Sequence, residues 1–92
     1  MYIGAIAHGV SDYDQWKAVY DSFPPTQGGA KFARVNRMVD DPNRITVVAG
    51  FETLDALNAF MGDSRLKDAM DRAGVVGPPR IEIYEEVEAI QA

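Results

Sequence analysis

The order of strand-like and helix-like patterns along this chain is the feature that most limits its fold. Apolar runs with strand-like alternation occupy four segments, at residues 2–10, 30–39, 44–52 and 80–87. Amphipathic, helix-like segments lie between the first and second of these and between the third and fourth, at residues 11–23 and 53–74. Asp40-Asp41-Pro42-Asn43 is a turn signal, which predicts a hairpin between the middle two strands. The predicted order is therefore β-α-β-β-α-β.

This order is that of the split βαβ, or ferredoxin-like, α+β fold, in which two helices cover one face of a four-stranded antiparallel sheet. We expect residues 1–92 to form a single domain of this kind. Alternate positions on three of the strands are apolar on both sides, so the second face of the sheet must also be covered. Two sheets packed face to face would satisfy this requirement. The sequence therefore predicts a homodimer.

Local signals predict where the helices begin and end. Ser11, with an acidic residue three positions later, has the spacing of a capping box and predicts the start of the first helix. Thr53 is the predicted N-cap of the second helix, and Ser64 the cap of its continuation after an interruption. Gly74 is the predicted closing glycine. Residues 75–79, which include two prolines, are interpreted as a stiff crossover to the last strand.

Charge and composition exclude several classes of function. Nine Lys and Arg against fourteen Asp and Glu give a formal net charge of −5, so nucleic acid binding lacks its electrostatic driving force. The absence of cysteine excludes disulfides and cysteine-ligated metals. Residues 2–10 are too short to span a bilayer and lack the pattern of a secretory signal. We expect no membrane association and a cytoplasmic location.

His8 is the only histidine and the only side chain whose ordinary pKa lies near neutral pH. On a central strand it could act as a general base that removes a proton from a phenol or an enol. The alternative is a buried core histidine hydrogen-bonded to a backbone carbonyl or a carboxylate. A single histidine without acidic or cysteine neighbours predicts no metal site.

Aromatic residues recur at helical spacing along the first helix. Trp16 and Tyr20 belong to this stripe and could form a flat platform for an aromatic ligand, although such a stripe also suits a plain hydrophobic core. Phe51, Phe60 and Met70 could form the opposite wall, since methionine fills irregular spaces readily.

Two polar residues of the second strand could polarise a ligand. Asn36 or Arg37 could donate a hydrogen bond to a carbonyl or an enolate, and arginine can do so with two parallel bonds. Arg37 could equally pair with a glutamate across the sheet or across the dimer interface.

Three stretches of the chain carry a resemblance to a known group of proteins. The chain resembles the dimeric α+β barrel superfamily, specifically its small antibiotic-biosynthesis-monooxygenase-like proteins. The resemblance is carried by His8-x-Val10-x-Asp12-Tyr13-Asp14-x-Trp16-Lys17, by Asp40-Asp41-Pro42-Asn43, and by Leu66-Lys67-x-Ala69-Met70-x-x-Ala73-Gly74-Val75. It implies a dimer whose two sheets close a barrel. That superfamily contains cofactor-free oxygenases, polyketide cyclases, lactone isomerases and haem-degrading monooxygenases, so the fold does not settle the reaction.

The resemblance separates these activities in part. Haem-degrading members use an Asn on the first strand and a Trp and a His on the second helix, whereas this chain has His8 on the first strand and Trp16 on the first helix. Haem degradation is therefore not expected. The cofactor-free oxygenases surround their substrates with Asn, Trp and Tyr, and Asn36, Trp16 and Tyr20 are residues of these types. We expect no cofactor.

Two functional hypotheses follow. The first is a cofactor-independent monooxygenase, cyclase or isomerase that acts on an aromatic or polycyclic small molecule, with His8 as the base and Trp16 and Tyr20 as the platform. In this hypothesis Asn36 or Arg37 is the polarising donor, and Phe51, Phe60 and Met70 complete the site. The second hypothesis is a non-catalytic binding or assembly module of the same fold.

Overall fold

The computed structural model describes all 92 residues and contains four strands and three α-helices. In chain order they are β1 (Tyr2–Val10), α1 (Tyr13–Ser22), β2 (Phe32–Met38), β3 (Asp41–Phe51), α2 (Leu54–Met61), α3 (Ser64–Arg72) and β4 (Val75–Glu85). The sheet order is β2-β3-β1-β4, with every neighbouring pair antiparallel. The predicted ferredoxin-like α+β fold is confirmed, with the second helix divided into α2 and α3. None of the helices has the length and apolar content needed to cross a membrane.

Strand β1 lies at the centre of the sheet and shows why the two faces differ. Ile6, His8 and Val10 are buried and point toward the helices, whereas Ala5 and Ala7 are half-buried on the open face. Because side chains alternate along a strand, His8 must share the helix-covered face with its even-numbered neighbours.

The hydrophobic core lies between this covered face and the helices, in two clusters. Their buried members are Val10, Trp16, Ile45, Val47 and Ala73 in the first cluster, and Ala30, Ala49, Phe51, Leu57 and Phe60 in the second. The largest fully buried side chains are those of Phe51, Ile45 and Leu57. Both clusters contribute residues to the cavity described below.

The open face of the sheet is apolar at one end only, whereas the sequence predicts apolar residues along this face of three strands; Asn36, Arg44 and Arg80 lie at the other end. Ile3 pairs with Gly50 on β3 and with Tyr84 on β4, and Phe32 on β2 lies on the other side of Gly50. A side chain at position 50 would collide with the ring of Phe32, so the glycine leaves the space on the sheet that this ring occupies. Tyr84 is 48% exposed.

The first helix begins one residue later than predicted. Its N-cap is Asp12, whose carboxylate accepts a hydrogen bond of 3.1 Å from the backbone N–H of Gln15. Ser11 lies one position earlier, and its own N–H donates to the carbonyl of Gly74 at 2.9 Å, which holds it beside the residue that follows the C-cap of α3. Gly74 follows the C-cap of α3 with a φ of 76°, so its predicted closing role is confirmed.

Of the other two predicted caps, one is confirmed and one is wrong. Thr53 is confirmed as the N-cap of α2, and its hydroxyl accepts from the N–H of Ala56 at 3.0 Å. The cap of α3 is Asp63, not Ser64, because the Asp63 carboxylate accepts from the backbone N–H of Arg65 at 2.8 Å and also pairs with the Arg65 guanidinium. A carboxylate with two sets of donors is a better cap than a hydroxyl one position later.

Two strand boundaries predicted from proline are wrong. The hairpin turn lies at Val39–Asp40, and residues 41–44 belong to β3, where Pro42 lies in an irregularity between the pairs Met38–Asp41 and Arg37–Ile45. Similarly, residues 75–79 are not a crossover but the first part of β4. Proline is tolerated at such irregularities because no ladder hydrogen bond is required from it there.

Candidate functional site

A cavity lies between the covered face of the sheet and the three helices, and it is open to solvent on one side. Its volume is about 50 Å³, or about 570 Å³ when the open solvent at its mouth is included. The lining is almost wholly apolar and is made of Gly4, Ile6, His8, Trp16, Val19, Tyr20, Phe23, Pro25, Val47, Ala49, Phe60, Met61, Leu66, Ala69, Met70 and Ala73.

His8 is the one buried polar residue of the chain, with 4% of its surface exposed. Its Nδ1 atom is buried and has no hydrogen-bond partner. Buried polar groups in native proteins almost always find a partner, so this ring nitrogen at an apolar cavity is a polar atom available to a ligand or to a water molecule. The side chain is held there by β1, which pairs with a strand on each side.

The pairing of β1 with β4 is interrupted at His8. Ala7 pairs with Arg80 and Gly9 with Val76, so His8 lies opposite the three-residue segment 77–79 and has no partner on β4. Gly77 has a φ of 72°, a conformation that favours glycine, and two prolines follow it. Bulges of this kind occur beside active sites and redirect side chains. The Gly-Pro-Pro signal was available in the sequence, but its position opposite His8 was not.

Burial lowers the pKa of His8, and the positive charge of Arg44 lowers it further, whereas hydrogen bonding with the backbone of Gly9 raises it. The imidazole is therefore neutral at neutral pH. A neutral imidazole carries one nitrogen that can accept a proton, which is the form that a general base requires.

Three rings lie in series beside the cavity. The ring centroids of His8 and Trp16 are 5.8 Å apart at 59°, and those of Trp16 and Tyr20 are 5.1 Å apart and stacked at 26°. Burial raises the pKa of the Tyr20 hydroxyl, which therefore stays protonated and can donate a hydrogen bond. The predicted platform of Trp16 and Tyr20 lies next to the predicted base.

The structure brings together five of the eight residues predicted for the site. Phe60 and Met70 line the same cavity as His8, Trp16 and Tyr20. Their contact with a ligand stays a prediction.

The other three predicted residues lie elsewhere. Phe51 is fully buried in the core, with its ring centroid 5.5 Å from that of Phe60, and does not line the cavity. Asn36 is exposed on the open face of the sheet, because the alternation of β2 turns it away from the helices. Arg37 does not line the cavity, and its guanidinium lies 4.4 Å from the centroid of the Tyr13 ring.

Sequence reasoning missed the small residues that create the space. Gly4 and Ala49 lie on the floor of the cavity, and Ala69 and Ala73 lie one helical turn apart on and just after α3. Their small size was readable, but a small residue leaves a cavity only where no neighbour fills the gap. No group of three or more His, Cys, Asp or Glu side chains is arranged to hold a metal ion.

The pKa of His8 predicts a pH dependence of stability. Its pKa is lower in the folded protein than the ordinary value of 6.5 in the unfolded chain, so the unfolded state binds the proton more readily. The contribution of His8 to the free energy of unfolding is complete above that ordinary value and falls as the pH drops toward the folded-state value. Urea unfolding at about pH 7.5 and about pH 5.5 should show a smaller decrease for His8→Gln than for the unmodified chain. Equal decreases would contradict it.

Several solved structures have the same fold. A protein from Bordetella bronchiseptica with the provisional name antibiotic biosynthesis monooxygenase is 19% identical, with a TM-score of 0.73 over 95% of this chain and 98% of that one. A protein of the same provisional name from Deinococcus radiodurans is 16% identical, with a TM-score of 0.75 over 100% and 98%. A variant of SnoaB, a cofactor-independent oxygenase from Streptomyces nogalater, is 16% identical, with a TM-score of 0.76 over 99% and 97%.

No protein-family model and no curated protein matches the sequence. At these identities a structural likeness shows the fold and leaves the reaction open. The resemblance predicted from the sequence is confirmed at that level: the chain has the ferredoxin-like α+β fold of the antibiotic-biosynthesis-monooxygenase-like structures.

Proposed function

We propose that this protein binds an aromatic small molecule in its cavity and acts on it as a cofactor-independent monooxygenase, cyclase or isomerase, with His8 as the general base. The observation that carries the proposal is the unpaired Nδ1 atom of His8, buried at an apolar cavity beside the stacked rings of Trp16 and Tyr20. The likeness in fold to SnoaB, which is described as a cofactor-independent oxygenase, supports the reaction class.

The three reactions share one first step. The neutral imidazole of His8 takes a proton from a phenolic hydroxyl or from a carbon next to a carbonyl, which leaves an electron-rich phenolate or enolate and an imidazolium. The anion can add O2 at carbon to form a hydroperoxide, which loses water and leaves a ketone or quinone, so the substrate itself supplies the two electrons that reduce the second oxygen atom. It can instead attack a carbonyl of the same molecule, or be reprotonated at another carbon. Trp16 and Tyr20 would hold the ring of the ligand. The protonated hydroxyl of Tyr20 would be the polarising donor, because Tyr20 lines the cavity and Asn36 and Arg37 do not.

The non-catalytic alternative has an observation of its own. The space for water-sized spheres is only about 50 Å³, which is small for a substrate site. An assembly module that binds no small molecule would need no larger cavity.

Incubation of the chelator-treated protein with neutral phenols and enolisable cyclic ketones, with and without O2, distinguishes these possibilities. O2 uptake with one oxygen atom in the product, two hydrogen atoms lost from the substrate and water released identifies an oxygenase. Conversion without O2 to a product of unchanged mass identifies an isomerase, or an aldol cyclase where the ketone carries a second carbonyl, and loss of water identifies a cyclase that dehydrates its product. Binding without any conversion would reject the catalytic proposal in favour of a binding module.

We further propose that residues 1–92 act as a single domain and assemble into a homodimer through the open face of the sheet, in the cytoplasm. The open face carries Ile3, Phe32, Val48 and Tyr84, and apolar side chains on an exposed sheet face favour packing against a second sheet. An identical copy supplies such a sheet.

Sedimentation equilibrium tests the homodimer. We expect a mass of twice 10.1 kDa for the unmodified chain. Val48→Arg places a second positive charge beside Arg34, its register partner on β2, and should give a monomer, because like charges buried in an interface oppose association. Leu54→Arg, at an exposed site on α2, is the matched control and should leave the dimer intact. A monomeric unmodified chain would overturn the proposal.

A further inference from the structure

We infer that the cavity selects a neutral ligand with a single ring and one hydroxyl group, and that it discriminates against anions and against fused-ring molecules. The inference rests on the proposed function of this site and narrows its ligand class. It follows from the size of the cavity, the charge of its lining and its one unpaired polar atom.

The size of the cavity limits the number of ligand atoms. The cavity volume of about 50 Å³ is roughly a third of the volume of an engineered apolar cavity that holds benzene, about 150 Å³. One six-membered ring therefore fits only if the lining adjusts or part of the ring lies in the open mouth, and a second fused ring needs more of both.

The lining of the cavity contains no Lys, Arg, Asp or Glu. Its titratable members, His8 and Tyr20, are both in their uncharged forms at neutral pH. Arg44, whose charge acts on His8, is solvent-exposed and is not part of the lining. A carboxylate would lose its hydration in this cavity without gaining a counter-ion, which opposes its binding strongly.

The unpaired Nδ1 atom of His8 supplies the remaining selectivity. A ligand hydroxyl can donate to a ring nitrogen or accept from it, according to the imidazole tautomer, whereas a plain hydrocarbon leaves the nitrogen unsatisfied. Of two ligands with the same ring, the one with a hydroxyl should therefore bind more tightly. The stacked rings of Trp16 and Tyr20 provide a flat wall that favours an aromatic ring.

The test compares four probes of known charge and size: phenol, benzene, benzoate and 1-naphthol. Trp16 is the only tryptophan, so its indole N–H signal in a ¹H–¹⁵N NMR spectrum reports binding at the cavity. We expect phenol to saturate this shift, benzene to bind about tenfold more weakly, and benzoate and 1-naphthol to bind more weakly still. Benzoate or 1-naphthol binding as tightly as phenol, or no binding by any probe, would overturn the inference.

Two methionine variants test the size limit directly. Met70→Ala removes a lining side chain and should raise the affinity for 1-naphthol by about tenfold or more. Met38→Ala, at a 53% exposed site on β2 outside the cavity, is the matched control and should leave the affinity unchanged. If Met70→Ala does not fold, the ranking of the four probes on the unmodified chain still decides the question.

Failure of this inference differs from failure of the proposed function. Phenol binding in the expected ranking, without conversion of any substrate, supports the ligand class and rejects catalysis. Conversion of an anionic or fused-ring substrate that depends on His8 supports catalysis and rejects the ligand class.

Discussion

Replacement of His8 by alanine should lower the rate of substrate conversion by about 10²–10⁴-fold, the usual contribution of a positioned general base. Substrate affinity should change far less, because the platform of Trp16 and Tyr20 remains in place. The rate of the unmodified protein should fall as the pH drops below the pKa of His8, and burial places this acid limb below the ordinary value of 6.5. Steady-state kinetics over a range of pH measures both effects.

Chemical rescue provides the control for this prediction. His8→Ala leaves a space of imidazole size at the cavity, so added imidazole should restore part of the lost rate. Restoration by imidazole identifies a missing proton acceptor, since a general loss of structure would not respond to it. A variant that converts substrate at the rate of the unmodified chain would show that His8 is not the base.

Replacement of Phe51 by alanine should lower the free energy of unfolding by about 3–5 kcal/mol. Phe51 is fully buried, and its ring packs against that of Phe60 behind the cavity. A loss of this size is a large share of the roughly 5–15 kcal/mol that stabilises a typical domain. Urea unfolding at one fixed protein concentration measures it, because dimer formation would make the apparent stability depend on concentration.

Phe23 is the comparison that separates a core role from a ligand role. Phe23 lines the cavity and is only half-buried, with its ring centroid 6.2 Å from that of Phe60. Phe23→Ala should therefore cost less stability than Phe51→Ala and should weaken ligand binding more. Equal stability losses, or a stronger effect of Phe51→Ala on affinity in the folded protein, would contradict the assignment of Phe51 to the core.

Strand periodicity predicts only part of the candidate site. Alternation along β2 already separates Asn36 from Arg37, since neighbouring residues point to opposite faces. It does not say which face the helices cover, and the donor role of both residues depended on that choice. The helical spacing of Trp16 and Tyr20 succeeded better, because a stripe on one helix must lie against the sheet wherever the helix packs.

The amino-acid sequence by itself determined the order of the elements, the antiparallel hairpin, the cap at Thr53, the closing glycine at position 74 and the aromatic stripe of α1. These features depend on residues within a few positions of one another, so local periodicity and capping chemistry are sufficient to predict them. Only the tertiary structure decided that residues 77–79 form a bulge opposite His8, that Ser11 is held by Gly74, and that small residues leave a cavity. Each of these depends on strand register or on packing between segments distant in sequence, where a shift of one residue changes which side chain faces the core.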